Sequence, residues 1–358
     1  MTKRNMLNRK ILILVPNLDC GGAERVTVTI ARLLKKNGAS VSFVNLGIER
    51  GEMKNWIEPE FSLISLNCKR TLFAYNKLRK VLANNKGAVV FSSREHTNIL
   101  ALLLSKSYNT TIVRLPNMPN NKLLGKKWTF KQQVIRFLNS QLLKRADHII
   151  AQNKEMEEQA SLVYELDKSK IHTIYNPVDS EWIHKQLIDD MKVFPTSGPN
   201  YLAVGNVSYA KGYDILIQAF RIVRTYKPTA SLYVLGRTNT VYAAQLFSEY
   251  LNEPGVFFEG FKENPYNYIN QCDVFVLPSR MEGFPNVVLE ATVLNKTIVA
   301  TKCVDVLNSI VIQGENGYLC SVENVQELAD GMMNALSLKN GNNSYTLFNQ
   351  DELLKLFA

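Results

Sequence analysis

Two carboxylates, Glu282 and Glu290, flank the turn Gly283-Phe284-Pro285, which follows the apolar run Val274-Phe275-Val276-Leu277. That run reads as a buried parallel strand, Gly283 permits an unusual backbone turn, and Pro285 suits the first turn of the helix that follows. The amide groups at such a helix start attract an anion. Glu290 falls about a turn and a half into that helix, within reach of the hydroxyls of a bound ribose, and Glu282 lies in the loop beside whatever the nucleotide carries. Two isolated glutamates are more simply read as solvated surface acids. The strand, the turn and the spacing together reverse that preference.

The elements that must hold these residues alternate between strand and helix. Strands are expected at 10–15, 41–46, 88–91, 111–114, 148–151 and 172–175, with helices at 24–36, 98–104 and 154–162 among them. After Pro195 and Gly198-Pro199 a second series follows at 201–204, 231–235, 256–258, 274–277 and 297–300. Apolar, β-branched strands separated by helices predict parallel sheets covered on both faces, hence an α/β chain with two Rossmann-like domains. The expected domains are 1–177 and 178–344. Residues 340–343 read as a loop, and a short helix at 351–357, within a final segment 345–358, is expected to return to the first domain. Ligands of such sheets gather at the carboxyl ends of the strands, where the glycine-rich and acidic loops lie.

Composition narrows the classes further. A chain of 358 residues with 46% hydrophobic content can bury two cores. The five cysteines, Cys20, Cys68, Cys272, Cys303 and Cys320, include no C-x-x-C pair, which argues against a disulfide framework or a zinc site and fits a reducing cytoplasm. The run Ile11-Leu12-Ile13-Leu14-Val15 stops at Pro16, too short for a signal or a membrane span. Much of the net charge of +10 is concentrated in Lys122, Lys126, Lys127, Lys131, Arg136, Lys144 and Arg145, with no acid among them. Interleaved are Leu123, Leu124, Trp128 and Phe130, then Val134, Leu138 and Leu142 at helical spacing. The segment 120–145 therefore reads as a basic loop entering an amphipathic helix that suits an anionic membrane surface, with 120–128 facing the lipid. Val134, Leu138 and Leu142 are at the same time expected to pack the helix on its own domain. Nucleic acid is a poorer partner, because no binding motif accompanies the charge.

The segment from Arg280 to Glu290 resembles the retaining glycosyltransferases of the GT-B class, in the family 4 (group 1) type whose hallmark is two glutamates with seven residues between them. Asp19-Cys20-Gly21-Gly22-Ala23-Glu24-Arg25 looks like that family's first strand-to-helix loop, and Asn176-Pro177-Val178-Asp179 looks like its interdomain linker. Val204-Gly205-Asn206-Val207-Ser208-Tyr209-Ala210-Lys211-Gly212 stands where the family binds diphosphate, and Gly314-Glu315-Asn316-Gly317-Tyr318-Leu319 matches a closing turn. The resemblance covers nearly the whole chain and points to the branch that builds bacterial surface glycans.

It implies two domains whose sheets face each other across a cleft. The second domain is expected to hold a nucleoside-diphosphate sugar, a UDP-sugar by family habit. Glu290 would bind ribose, Lys211 would neutralise the leaving diphosphate, and Glu282 would orient the donor sugar. Gly205 and Asn206, together with Gly283, Phe284 and Asn286, would line the phosphates, and the Gly21-Gly22 loop would close from the first domain. No metal or other cofactor is implied, and no Asp-x-Asp motif occurs.

The chain departs from the family in three ways, the third being a short tail after Leu336 that is expected to reduce bracing between the domains. Asn206 replaces the usual arginine, with Arg280 or Arg237 as possible substitutes, and Pro116 stands where the family carries a histidine. His96 is the available imidazole, read equally as a site residue and as a helix-start residue bonded to backbone. His148, His172 and His184 read as structural or exposed. The implied acceptor is a glycan or a polyprenyl-diphosphate-linked intermediate, with the enzyme on the cytoplasmic face of the membrane. The rival readings are an inactive scaffold and a GT-B enzyme using a soluble sugar phosphate.

Overall fold

The computed structural model describes residues 7–105, 109–119, 130–195, 198–250, 252–338 and 345–358. The chain divides into two compact units, Met1–Pro177 with Leu347–Ala358, and Val178–Thr346. Each contains one parallel sheet of Rossmann-like α/β type.

The first unit's sheet has the order β3-β2-β1-β4-β5-β6-β7. Its strands are β1 Lys10–Val15, β2 Ser40–Asn45, β3 Ser62–Ser65, β4 Val89–Ser92, β5 Thr110–Arg114, β6 His148–Ala151 and β7 Ile171–Thr173. β1 is central, so Ile11 to Val15 are buried on successive positions instead of alternating ones. Helix Gly22–Lys36 covers one face through Val26, Ile30 and Leu34. The terminal helix Gln350–Phe357 packs on the same core, with the Phe357 ring edge-on to Phe91 at 5.5 Å. Asn349 fixes its start by accepting the Asp351 and Glu352 amides.

The second unit's sheet has the order β10-β9-β8-β11-β12-β13. Its strands are β8 Asn200–Val204, β9 Ser231–Leu235, β10 Val256–Gly260, β11 Val274–Leu277, β12 Thr297–Thr301 and β13 Gly317–Cys320. The chain winds outward from β8 through β9 to β10, then returns to place β11 on the other side of β8. The exits of β8 and β11 therefore form a topological switch point, where open parallel sheets bind ligands.

Edge strands β3 and β13 escape the sequence reading, as does helix Tyr75–Ala83. β3 reads Ser-Leu-Ile-Ser with no fully buried residue, so no apolar run marks it. β13 lies within the segment expected to be only a turn. A side chain at its Gly317 would come 1.9 Å from the Ile298 carbonyl oxygen, so a bare backbone is needed to bring the strand against β12. The loop expected at 340–343 lies outside the described residues.

The basic helix forms as Phe130–Leu143. Its packing differs from expectation. Leu143 is buried and Leu142 packs beside it, but Val134 is 40% exposed, Phe137 62% and Leu138 50%. Asn139 turns inward to donate to Glu95 at 3.4 Å, which rotates the 134/137/138 strip outward. The loop 120–128 lies outside the described residues. Among the described residues no helix is long and apolar enough to cross a membrane. His148 and His172 approach to 3.0 Å across β6 and β7, and burial, then the charge of His148, pushes His172 below the usual imidazole range.

Candidate functional site

Two residues distant in sequence meet at the second unit's switch point. Lys211 Nζ lies 2.7 Å from Glu282 Oε1, with both side chains largely covered. Ser279, one residue beyond Pro278, donates its hydroxyl to the same oxygen at 2.7 Å. Lys211 ends a 3-10 turn, Tyr209–Lys211, closed by Gly212 at φ +65°. That position requires glycine twice over: the backbone is left-handed, and a Cβ would sit 2.1 Å from the Pro278 carbonyl oxygen. This close approach holds the β8 exit loop against the β11 exit loop. Lys211's stem lies over Gly205, where an added Cβ would come 3.0 Å from its Cε. Tyr213 closes the floor by donating to the Gly205 carbonyl at 2.8 Å. Burial, then the Glu282 charge, raises the Tyr213 phenol well above its ordinary range. On the β12 side, burial followed by the same carboxylate pushes the Cys303 thiol up to about 12.

Arg280, one of the two possible substitutes for the missing arginine, is engaged by neighbouring acids. Its guanidinium makes a two-pronged bond with Asp214 at 2.8 and 2.7 Å, donates through Nε to Glu323 at 2.7 Å, and reaches the Tyr209 carbonyl at 2.8 Å. It also lies 4.0 Å from the centre of the Tyr209 ring. Burial acts to lower its pKa, but the bonds to Asp214 and Glu323 outweigh that and raise it. Its own amide donates to the Ala210 carbonyl at 2.8 Å. Arg280 thus brackets the turn that carries Lys211. Arg280→Lys loses the fork geometry and leaves the half-buried Asp214 carboxylate short of a donor. The variant is expected to lose about 2 kcal/mol in denaturant unfolding while retaining nucleotide affinity. A direct phosphate ligand would give the reverse pattern.

Helix Asn286–Val293 begins one residue later than expected, with Pro285 as its cap residue. The Asn286 amide already donates to the Phe284 carbonyl at 3.0 Å, which sets the turn, and Phe284 is buried. Glu290 is a buried residue of this helix. Asn206 accepts the Arg237 amide at 3.2 Å, so the residue standing in place of the usual arginine ties the β8 exit to the β9 exit. The sequence reading missed Ser279, Asp214 and Glu323. Their signal was positional only, since each closes a polar contact across strand exits that no local pattern records.

In the first unit, Gly21 caps helix Gly22–Lys36 in extended conformation. A Cβ on Gly21 would come 2.7 Å from Glu24 Oε2, while Glu24 Oε1 accepts Arg94 Nε at 2.7 Å. His96 is exposed near the start of helix Glu95–Leu104. Pro116 follows β5, where Gln152 donates to its carbonyl at 3.4 Å.

Residues 20–182 match the family described as Glycosyltransferase Family 4, and residues 185–347 match Glycosyl transferases group 1. Over 340 residues the chain is 25% identical to the N-acetylgalactosamine-N,N'-diacetylbacillosaminyl-diphospho-undecaprenol 4-alpha-N-acetylgalactosaminyltransferase of Campylobacter jejuni, covering 92% of this chain and 90% of the relative. A second Campylobacter jejuni relative, N,N'-diacetylbacillosaminyl-diphospho-undecaprenol alpha-1,3-N-acetylgalactosaminyltransferase, is 26% identical over 297 residues, covering 76% of this chain and 73% of its own. The crystal structure of Anabaena HepE in complex with UDP-glucose superposes with a TM-score of 0.75 at 18% identity, covering 97% of this chain and 98% of that one. The two Rossmann-like domains are those of the GT-B fold, and the chain belongs to the glycosyltransferases of the family 4 and group 1 type.

Proposed function

We propose that this protein moves a sugar from a nucleoside-diphosphate donor, a UDP-sugar first, to a glycan carried on a polyprenyl diphosphate, with retention at the anomeric carbon. The observation that carries the reading is the Lys211–Glu282 pair at the β8/β11 switch point, with Glu290 buried in the helix that follows the same loop. In the reaction the bond from the anomeric carbon to the diphosphate oxygen breaks and the acceptor oxygen takes its place. Negative charge grows on the departing phosphate, so the Lys211 ammonium stabilises the transition state more than the bound donor. The acceptor proton passes to that phosphate, so a separate general base is not needed. Glu282 is released from Lys211 to donor hydroxyls as the diphosphate enters. The cation in this scheme is a side chain, and the reading uses no metal.

Two relatives are named for acceptors on diphospho-undecaprenol, which supports the lipid-linked class by similarity. Incubating the protein with UDP-hexoses and UDP-N-acetylhexosamines and a short-chain polyprenyl-diphosphate sugar is expected to give a product with an α linkage, read by NMR from an α-configured donor. A β product would overturn the retaining part. Transfer only to soluble sugar phosphates would overturn the acceptor part.

The exposed strip Val134, Phe137 and Leu138, on a helix ending at the cations Lys144 and Arg145, supports docking on the inner face of the plasma membrane. Wild-type protein is expected to float with vesicles containing anionic phospholipid and to lose most of that binding on Phe137→Ser with Leu138→Ser. Flotation equal to wild type would remove the strip from the account.

A further inference from the structure

One oxygen of Glu282 takes two donors. Lys211 Nζ and the Ser279 hydroxyl each stand 2.7 Å from Oε1, and neither contact uses Oε2. The two donors differ in freedom. The Lys211 ammonium ends a flexible four-carbon stem and can swing to an incoming phosphate. Ser279 is fully buried, and its hydroxyl turns about one short bond.

The backbone of Ser279 is held from both neighbours of β11. Thr301, the last residue of β12 and itself buried, shares its hydroxyl between the Ser279 carbonyl and the Leu277 carbonyl, the latter at 3.4 Å. On the β8 side, the Pro278 carbonyl fills the place of a side chain at Gly212, and the Arg280 amide donates to the Ala210 carbonyl at 2.8 Å. Residues 278–280 are therefore seated between the β12 exit and the turn that carries Lys211. Glu282 thus has one donor that can move and one that is built into the sheet.

We infer that Ser279 is the positioning residue of Glu282: its hydroxyl keeps Oε1 in place when Lys211 turns to the diphosphate, and leaves Oε2 to the hydroxyls of the donor sugar. This rests on the proposed reading of the second unit as the donor site and of Glu282 as the group that orients the sugar. A largely covered carboxylate that loses its ammonium needs another donor, because a polar group left unpaired away from water is costly. Water cannot stand in for a hydroxyl that is itself sealed in the sheet. Holding the carboxylate by one oxygen also restricts its rotation, and sugar transfer is sensitive to small errors of orientation. The effect belongs to transfer more than to nucleotide binding, since a nucleoside diphosphate brings no donor sugar for Oε2 to meet.

The test pairs transfer kinetics with calorimetry. The transfer assay uses the UDP-sugar that the wild type accepts and a short-chain polyprenyl-diphosphate sugar, and the titration uses UDP alone. Ser279→Ala and Ser279→Cys, the second keeping the volume with a poor donor, are each expected to lower kcat about thirtyfold and to leave UDP affinity within about threefold of wild type. In a Glu282→Ala background, Ser279→Ala is expected to cost nothing further, as for a residue that acts through Glu282. A loss of UDP affinity as large as the loss of kcat, a loss that adds in full to that of Glu282→Ala, or wild-type kcat in both variants overturns the role of Ser279 and leaves the donor site standing. Absence of transfer by the wild-type protein from every UDP-sugar overturns the proposed function and this role with it. Circular dichroism of each variant separates lost orientation from lost fold.

Discussion

Lys211→Met is expected to lower sugar transfer by about a thousandfold, equivalent to about 4 kcal/mol of transition-state stabilisation. Two effects add in that number. The leaving diphosphate loses its fixed cation, and Glu282, 11% exposed and hydrogen-bonded by Ser279, is left as a carboxylate facing an incoming polyanion. The second effect is separable. Adding Glu282→Gln to Lys211→Met removes the repulsion, so the double variant is expected to regain nucleotide binding and to stay slow in transfer. Single-turnover kinetics beside equilibrium binding check this. A Lys211→Met enzyme within tenfold of wild type would remove Lys211 from the reaction.

The fold was legible where burial dictates composition. β1, β6, β9 and β11 form at the positions that their apolar runs predict, because strands covered on both faces must be apolar throughout. β3 was not legible because its Ser-Leu-Ile-Ser has no fully buried residue, and β13 was not because it opens on Gly317 and buries only its two ends. The site was legible in part. The carboxylates at 282 and 290 could be read locally, since each stands at a fixed spacing about a loop and a helix start. The partnership of Lys211 with Glu282 and the bracket of Arg280 on Asp214 and Glu323 are products of strand order. No local spacing encodes that β11 returns to lie beside β8. Val134 and Leu138 illustrate the converse: helical periodicity alone assigned an inward face, and the inward turn of Asn139 placed that strip outside.

Glu290→Gln is expected to weaken nucleoside-diphosphate binding about a hundredfold. A carboxylate accepts charge-assisted hydrogen bonds from both hydroxyls of a ribose, and the amide removes the charge and leaves one acceptor, so that the second hydroxyl must turn to accept. Glu290 is 6% exposed, so water compensates poorly for the mismatch. Pyrophosphate, which has no ribose, is expected to bind the variant and the wild type alike. The same comparison with a 2′-deoxynucleotide isolates the hydroxyl contribution, since the deoxy ligand gains less from Glu290.

The most direct measurement is calorimetric titration of the wild-type protein and Glu290→Gln with UDP, GDP and ADP. One nucleotide is expected to bind the wild type, and the substitution to weaken it about a hundredfold. Equal binding to both proteins, or binding of none of the three to the wild type, would contradict the placement of the donor site at the second unit's switch point.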